Sequence, residues 1–384
     1  MKTRRFQPSV ALIGVTLWLL LSVGCAAPPT QTPAPPPTKA TVQAPQPAAT
    51  ALATAGAKTA ASVATASTTL KVGQTGLIQD VPMFIAMERG YFKELGLTIE
   101  PIKFNNSAEQ MAPLGTGQID MGSGGTNTAI FNGIARGTGV RIVADATRNT
   151  PSQSVSALVV RKDLFESGKV KDYADLKGLK IGTGCTSGCS ADIELARALE
   201  KGNLALKDVT VTQMSWPDVN VAFANKAIDA ALLVEPFVVI GEAQGSLVRL
   251  KKSQEFYPGH QSAVYMYSQK LMEKNPDAAR RFMVGLIKGK RDFVEAIDKG
   301  KDRDAVYAII VKFTAIKDLN LIEKMRLAGS IGGVNPDGFV NADSIKYDMD
   351  WIAANGYMPS APPLKDVFDN QWIDYAIQQL GHYK

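Results

Sequence analysis

Histidine is nearly missing from this chain: only His260 and His382 occur in 384 residues, beside three cysteines, Cys25, Cys185 and Cys189. So few ligating side chains, set far apart, give no zinc spacing, and no metal site is expected. His260 follows Tyr257-Pro258-Gly259 with no serine or cysteine motif nearby that would make it a catalytic base. Residues 26–69 contain neither an acid nor an aromatic side chain. Such a run of Ala, Pro, Thr and Gln cannot bury enough apolar surface to offset its ordering entropy. A second long apolar stretch is also lacking, so nothing beyond the first 24 residues is expected to enter a bilayer. The formal charge is +6, yet Lys2, Arg4, Arg5, Lys39 and Lys58 precede residue 70 without any acid. Nearly all the surplus therefore lies outside the part expected to fold, and a nucleic-acid surface is not supported.

What is present begins with the N-terminus. Lys2, Arg4 and Arg5 lead into an apolar stretch from Val10 to Val23, and small residues then precede Cys25. A basic start, a short apolar core and small residues at a processing site describe an export signal. The stretch is shorter than the roughly 20 residues that span a bilayer. Leu21-Ser22-Val23-Gly24-Cys25 resembles a bacterial lipobox, whose cysteine is lipidated and becomes the new N-terminus; Ser22 stands where leucine is commoner. The resemblance implies a signal peptide over 1–24, a lipid on Cys25 and a tether over 25–69. As a coil that tether reaches roughly 35 Å. The protein is then expected on the extracytoplasmic face of the cell membrane, anchored by lipid. In that compartment Cys185 and Cys189 are read as a disulfide or as two free thiols.

About 315 residues follow, too many for one ordinary core and suited to two lobes. From Leu70 short β-rich runs alternate with helical stretches, the pattern of parallel sheets with crossover helices. Strands are expected at Leu70–Gln74, Leu97–Phe104, Ile119–Ser123 and Val140–Thr147, the second bearing Pro101 and so placed at an edge or bulge. The pattern restarts at Ser156–Val160, Leu179–Thr183, Val209–Met214, Ala227–Val234 and Leu247–Leu250. Ala263–Ser268 reads as a strand returning to the first lobe, before long helices such as Asp277–Lys299. The expected division is 70–155 for the first part of lobe 1, 156–260 for lobe 2, and 261–384 for the return and the C-terminal helices. Gly117-Gln118-Ile119-Asp120-Met121 is echoed by Lys226-Ala227-Ile228-Asp229-Ala230 at the same place in each half. Two similar lobes joined by crossing strands make a hinge that closes around a ligand.

Ligands of open parallel sheets bind beyond the carboxyl ends of the strands. That rule selects Thr75, Gly76 and Asp80 after the first strand, and Ser123, Gly124, Gly125 and Thr126 after the third. In the second half it selects the loop Gly184–Ser190, with Thr186, Ser187, Gly188 and Ser190 as contacts, then Trp216 and Glu235. Gly184–Ser190 runs into a helix N-terminus, whose free N–H groups favour an acceptor, and Ser187 or Ser190 is otherwise an N-cap. It lacks the lysine of a nucleotide loop, so no nucleotide cofactor is implied. Trp216 either stacks on a planar ring or packs between helices. Glu235 either accepts from a ring N–H or amine, or caps the helix that follows it. Asp80 is similarly two-sided.

Four motifs in order resemble the substrate-binding proteins of ABC importers, in the nitrate/taurine/sulfonate and thiamine-pyrimidine branch. They are Pro82-Met83-Phe84-Ile85-Ala86-Met87-Glu88-Arg89-Gly90-Tyr91-Phe92 through Gly96-Leu97, Gly117–Gly122, Asp175–Gly182, and Ile228–Ala231 with Glu235-Pro236-Phe237. The likeness covers nearly all of Leu70–Leu380. It implies a two-lobe α/β fold of the periplasmic-binding-protein type II, acting as a monomer without cofactor. It also implies a small-molecule solute handed to a membrane permease driven by a cytoplasmic ATPase. The two acids favour a heteroaromatic solute, such as a flavin or thiamine pyrimidine, over an alkanesulfonate, taurine or nitrate. A membrane-tethered sensor shares the capture step, and genomic neighbours distinguish it. A pyrimidine-forming enzyme is disfavoured, because Cys185 and Cys189 do not reproduce the cysteine-rich motif of that activity.

Overall fold

The structure, a computed structural model, describes residues 67–184 and 187–384. The export signal, Cys25, most of the tether, Cys185 and Thr186 lie outside these. Ten strands form two five-stranded sheets. The first holds β1 (Thr68–Gln74), β2 (Leu97–Lys103), β3 (Met121–Gly125), β4 (Arg141–Thr147) and β10 (Ala263–Tyr267), in the order β2-β1-β3-β10-β4. The second holds β5 (Ser156–Arg161), β6 (Lys180–Thr183), β7 (Thr210–Gln213), β8 (Ala230–Val234) and β9 (Leu247–Lys252), in the order β7-β6-β8-β5-β9. β10 runs antiparallel to both its neighbours, as does β5 to its own. These are the strands that enter each sheet from the other lobe, so the crossing dictates their direction. Pro101 lies on β2, an edge strand, where its missing N–H costs no ladder bond.

The seven helices that matter here are α1 (Val81–Glu88), α2 (Thr128–Ala135), α3 (Ser190–Lys201), α4 (Trp216–Ala224), α5 (Phe237–Ala243), α6 (Pro276–Lys299) and α7 (Ala342–Ala354). α6 carries its apolar residues at helical spacing, and Phe282, Met283, Leu286, Ile287 and Phe293 are buried against β10 and α1 partners such as Tyr267 and Phe84. A second apolar cluster runs through both lobes. It joins Ile142, Val264 and Met266 of the first sheet to Leu158, Ile181 and Leu232 of the second, with Ile345, Met349 and Ile352 of α7. α7 is therefore a strut across the hinge.

The sequence echo is a structural repeat. Asp120 Oδ2 accepts from the Lys71 N–H at 2.8 Å, and Asp229 Oδ2 accepts from the Lys180 N–H at 3.0 Å. Each aspartate thus takes a backbone N–H of the neighbouring strand. The isoleucine before each aspartate packs on a glycine of that strand: a Cβ on Gly73 or on Gly182 would lie 2.9 Å from the Cδ1 of Ile119 or of Ile228 respectively. Both turns need a left-handed residue, Gly117 at φ 67° in one lobe and Lys226 at φ 56° in the other.

Two segments cross between the lobes, 148–155 and 257–262, and they are tied together. Asn149 N–H donates to the His260 carbonyl at 2.9 Å, and Asn149 Nδ2 donates to Ser253 Oγ and the Tyr257 carbonyl. The neighbouring side chains carry charge that is wholly buried. His260 Nδ1 lies 2.6 Å from Glu194 Oε1 of α3, and its Nε2 lies 3.3 Å from Asp348 Oδ2 of α7. Tyr257 stacks on the imidazole and donates to Asp348 Oδ1. Burial alone would lower the histidine, but Asp348 and Glu194 overcome it and hold its pKa up at about 10.

Candidate functional site

The loops at the carboxyl ends of the two sheets meet. The β3–α2 loop of lobe 1 and the β6–α3 loop of lobe 2 form a short antiparallel bridge, Asn127 opposite Cys189. Ser190 N–H donates to the Thr126 carbonyl at 3.1 Å, while the N–H and Oγ1 of Thr128 both donate to the Gly188 carbonyl. Asn127 is held for this by its own side chain: Oδ1 caps α2 through the Ile130 N–H, and Nδ2 donates to Ser107 Oγ and the Gly125 carbonyl. Cys189 is disulfide-bonded.

Gly188 must be glycine at this seam. Its φ is +77°, and a Cβ would fall on Thr128 Oγ1 and 3.2 Å from the Tyr357 ring. Gly188→Val is expected to keep the lobes apart, raising the radius of gyration in solution scattering. Scattering identical to the parent would show that the seam does not control closure.

The remaining residues sort into two kinds. Asp80 is fully buried and is not free to meet a solute. Its Oδ2 accepts from the N–H of Thr75 at 2.9 Å, the Thr75 hydroxyl at 2.9 Å and the Gly76 N–H at 2.8 Å, while Oδ1 accepts from the Ser123 hydroxyl. Burial raises its pKa above the ordinary range, opposed by these bonds. Thr75, Gly76 and Ser123 thus shape the loop by holding Asp80. Glu235 is likewise committed: Oε1 pairs with Arg249 at 2.8 Å and Oε2 caps α5 through the Val239 N–H. Of its two roles, the helix cap is the one the structure displays. Gly124 admits Ser107, whose Cβ would lie 2.6 Å from a Cβ at that position.

Gly125, Thr126, Gly188 and Ser190 lie at the seam itself. Thr126 is buried and its Oγ1 has no hydrogen-bond partner among the described residues. Ser187 is exposed and accepts from Gln213 Nε2 at 2.8 Å, so it does not cap α3. Trp216 is half-buried, and its indole lies on Gly184 at the carboxyl end of β6, where any Cβ would overlap the ring. It also packs against the cores of lobe 2.

Sequence reasoning missed Asp192, Asn127, Thr128 and Arg148. Asp192 Oδ2 accepts from the Gly188 N–H at 2.8 Å, the same carboxylate-to-glycine spacing by which Asp80 holds Gly76. That Gly-x-x-x-Asp spacing after each strand was the available signal. Arg148 is half-buried at the end of β4, and its guanidinium has no ion pair or hydrogen bond among the described residues. Two surface grooves, of about 500 and 960 Å³, lie elsewhere: one beside Gly139 and Arg141, the other beside Lys226 and Ser246. Both sit at the amino ends of strands, opposite the ends where such sheets bind ligands. The seam, built from both lobes, is the stronger candidate.

Comparison with known proteins bears on the fold and the family. A protein of Brucella abortus (strain 2308), named as a binding protein, is 30% identical over 239 residues, covering 62% of this chain and 68% of its own. The fold matches the periplasmic nitrate-binding protein of Synechocystis PCC 6803 with a TM-score of 0.68 at 15% identity, over 82% of this chain and 89% of that one. It matches the periplasmic aliphatic sulphonate-binding protein of Escherichia coli with a TM-score of 0.64 at 20% identity, over 79% and 92%. The family described as NMT1/THI5 like matches residues 78–297, more than half of the sequence, and the chain belongs to it.

Proposed function

We propose that this protein is the extracytoplasmic solute-binding component of an ABC importer, a lipoprotein held by Cys25, that captures a small organic solute by lobe closure. It delivers the solute to a permease and its ATPase, acts as a monomer, and performs no chemistry. The observation that carries the reading is the seam: the carboxyl-end loops of two sheets, on opposite sides of a hinge, close on one another. Closure is useful for capture only if the solute binds the closed form better, because only differential affinity shifts the population. The binding-protein name of the Brucella relative supports the same reading.

The buried His260 supports a binder over an enzyme. It is locked between two carboxylates beneath the hinge and reaches no solvent from which a substrate would come. Trp216 beside Gly184 favours a planar heteroaromatic solute such as a flavin or a thiamine pyrimidine. Titration calorimetry of the full-length protein with riboflavin and with an aminopyrimidine tests this. Trp216→Ala is expected to weaken a ring solute about three- to tenfold; unchanged affinity would take the indole out of the site. The competing solute class is a sulfonate or nitrate. Arg148 favours it as an unpaired cation, as do the names of the two structural neighbours.

A further inference from the structure

Within the solute-binding reading above, we propose that Val239 is a positioning residue for capture: from α5 in lobe 2 it seats in the core of lobe 1 and holds the lobes closed before a solute arrives. Val239 is 4% exposed and lies in the apolar core that contains Phe84, Tyr265, Met325 and Ile331. Among the described residues it is the one buried side chain of 156–260 in that core. There α5 packs against the helix Leu319–Leu327. The other buried apolar residues of lobe 2 lie in separate clusters, so a single knob makes this contact.

Each side of the contact is anchored in its own lobe. On the receiving side, the Gly333 carbonyl accepts from the Arg148 N–H at 2.8 Å and from Thr147 Oγ1 at 3.0 Å, at the end of β4. The Asn335 N–H donates to Asp145 Oδ2 of the same strand at 2.6 Å. On the presenting side, Glu235 Oε2 takes the Val239 N–H at 3.1 Å while Oε1 pairs with Arg249 at 2.8 Å. That carboxylate clamps the first turn of α5 to β9 and fixes where the knob points. The Ser330 hydroxyl, from the receiving side, stands beside it.

The contact shares no residue with the seam, where the Thr128 and Ser190 N–H groups donate from one lobe to the other. Both join protein directly to protein, so each favours the closed form whatever solute is bound. Returning a buried valine to water shifts a two-state equilibrium by roughly tenfold or more. Close-packed lobes move as bodies about a hinge, so the two contacts form and part together. A binding protein whose competent form is already populated gives up less affinity to closure. The knob thus raises affinity without selecting a solute class, and selection is left to the cleft.

The test uses the full-length protein, refolded from denaturant to strip any carried-over solute, and hydrogen exchange read at the Thr128 and Ser190 amides with no solute added. In the parent both amides are expected to be protected. In Val239→Ala both should exchange about tenfold faster, although neither touches Val239, while the β10 amides of Ala263–Tyr267 keep their parental protection. A purely local role for Val239 would leave the two seam amides as they were, and that result would overturn the proposal. So would parent seam amides that exchange as fast as exposed ones, since the solute-free protein would then be open. If Val239→Ala fails to fold, Val239→Thr, which keeps the shape and puts a hydroxyl in the lobe 1 core, is read in the same way. None of these outcomes involves a solute, so each leaves the solute-binding reading standing. That reading fails separately, by silence in the calorimetry described above.

Discussion

His260→Ala is expected to lower stability by about 3–5 kcal/mol, because it leaves the carboxylates of Glu194 and Asp348 buried with no cation between them. Alanine also empties the space under the Tyr257 ring, which stacks on the imidazole at 4.3 Å. For a folded part of this size the midpoint should fall by about 5–8 °C. The effect should be pH-dependent in a definite sense. The folded-state pKa of about 10 lies above the ordinary 6.5, so the protonated ring stabilises the fold. That stabilisation is complete below about pH 6.5 and is lost as pH rises towards 10. The unfolding midpoint of the parent protein should therefore drop between pH 7 and pH 10 more steeply than that of His260→Gln. Equal slopes would mean that His260 is not the charged centre of this network.

Lys290→Met is the second large effect. Lys290 and Asp145 are both fully buried, with Nζ donating to Oδ2 at 3.0 Å and to the Asp145 carbonyl at 2.6 Å. Asp145 also receives Gln261 Nε2 and the Asn335 N–H, so it ties α6, β4, a crossing segment and the C-terminal region at one point. Removing the lysine alone strands that carboxylate, and a loss of about 3–5 kcal/mol is expected in a denaturant titration. Adding Asp145→Asn should recover a substantial part, since the stranded charge disappears. If the double variant is as unstable as the sum of the singles, the pair is not coupled and the argument from buried charge fails.

Most of the architecture was readable because it follows from period and order. The ten strands fall where alternation placed them, within a few residues. The paired Ile-Asp motifs are a true repeat, because each does two local tasks: the isoleucine fills the space over a strand glycine and the aspartate closes the next strand's N–H. Pro101 announced an edge strand for the same local reason.

The roles of the acids were not readable. The sequence leaves Asp80 and Glu235 two-sided, ligand contact or local structural acid, and in the fold Thr75, Gly76 and Ser123 claim one and Arg249 and Val239 the other. Asp192 carries the Gly-x-x-x-Asp spacing, but a spacing does not show that its carboxylate takes the N–H of Gly188, a residue crowded by Thr128 and Tyr357 from distant segments. His260 appeared inert for want of a motif, and its two carboxylates are 66 and 88 residues away along the chain.

By itself, then, the sequence determined the class of fold, the near-neutral charge of the folded part and the loops that cap the sheets. These depend on composition, hydrophobic period and turn chemistry, which act over a few residues. Tertiary structure alone decided which polar groups in those loops are already satisfied and which are not. That is a matter of hydrogen-bond partners brought together from distant segments, which no local pattern of residues records.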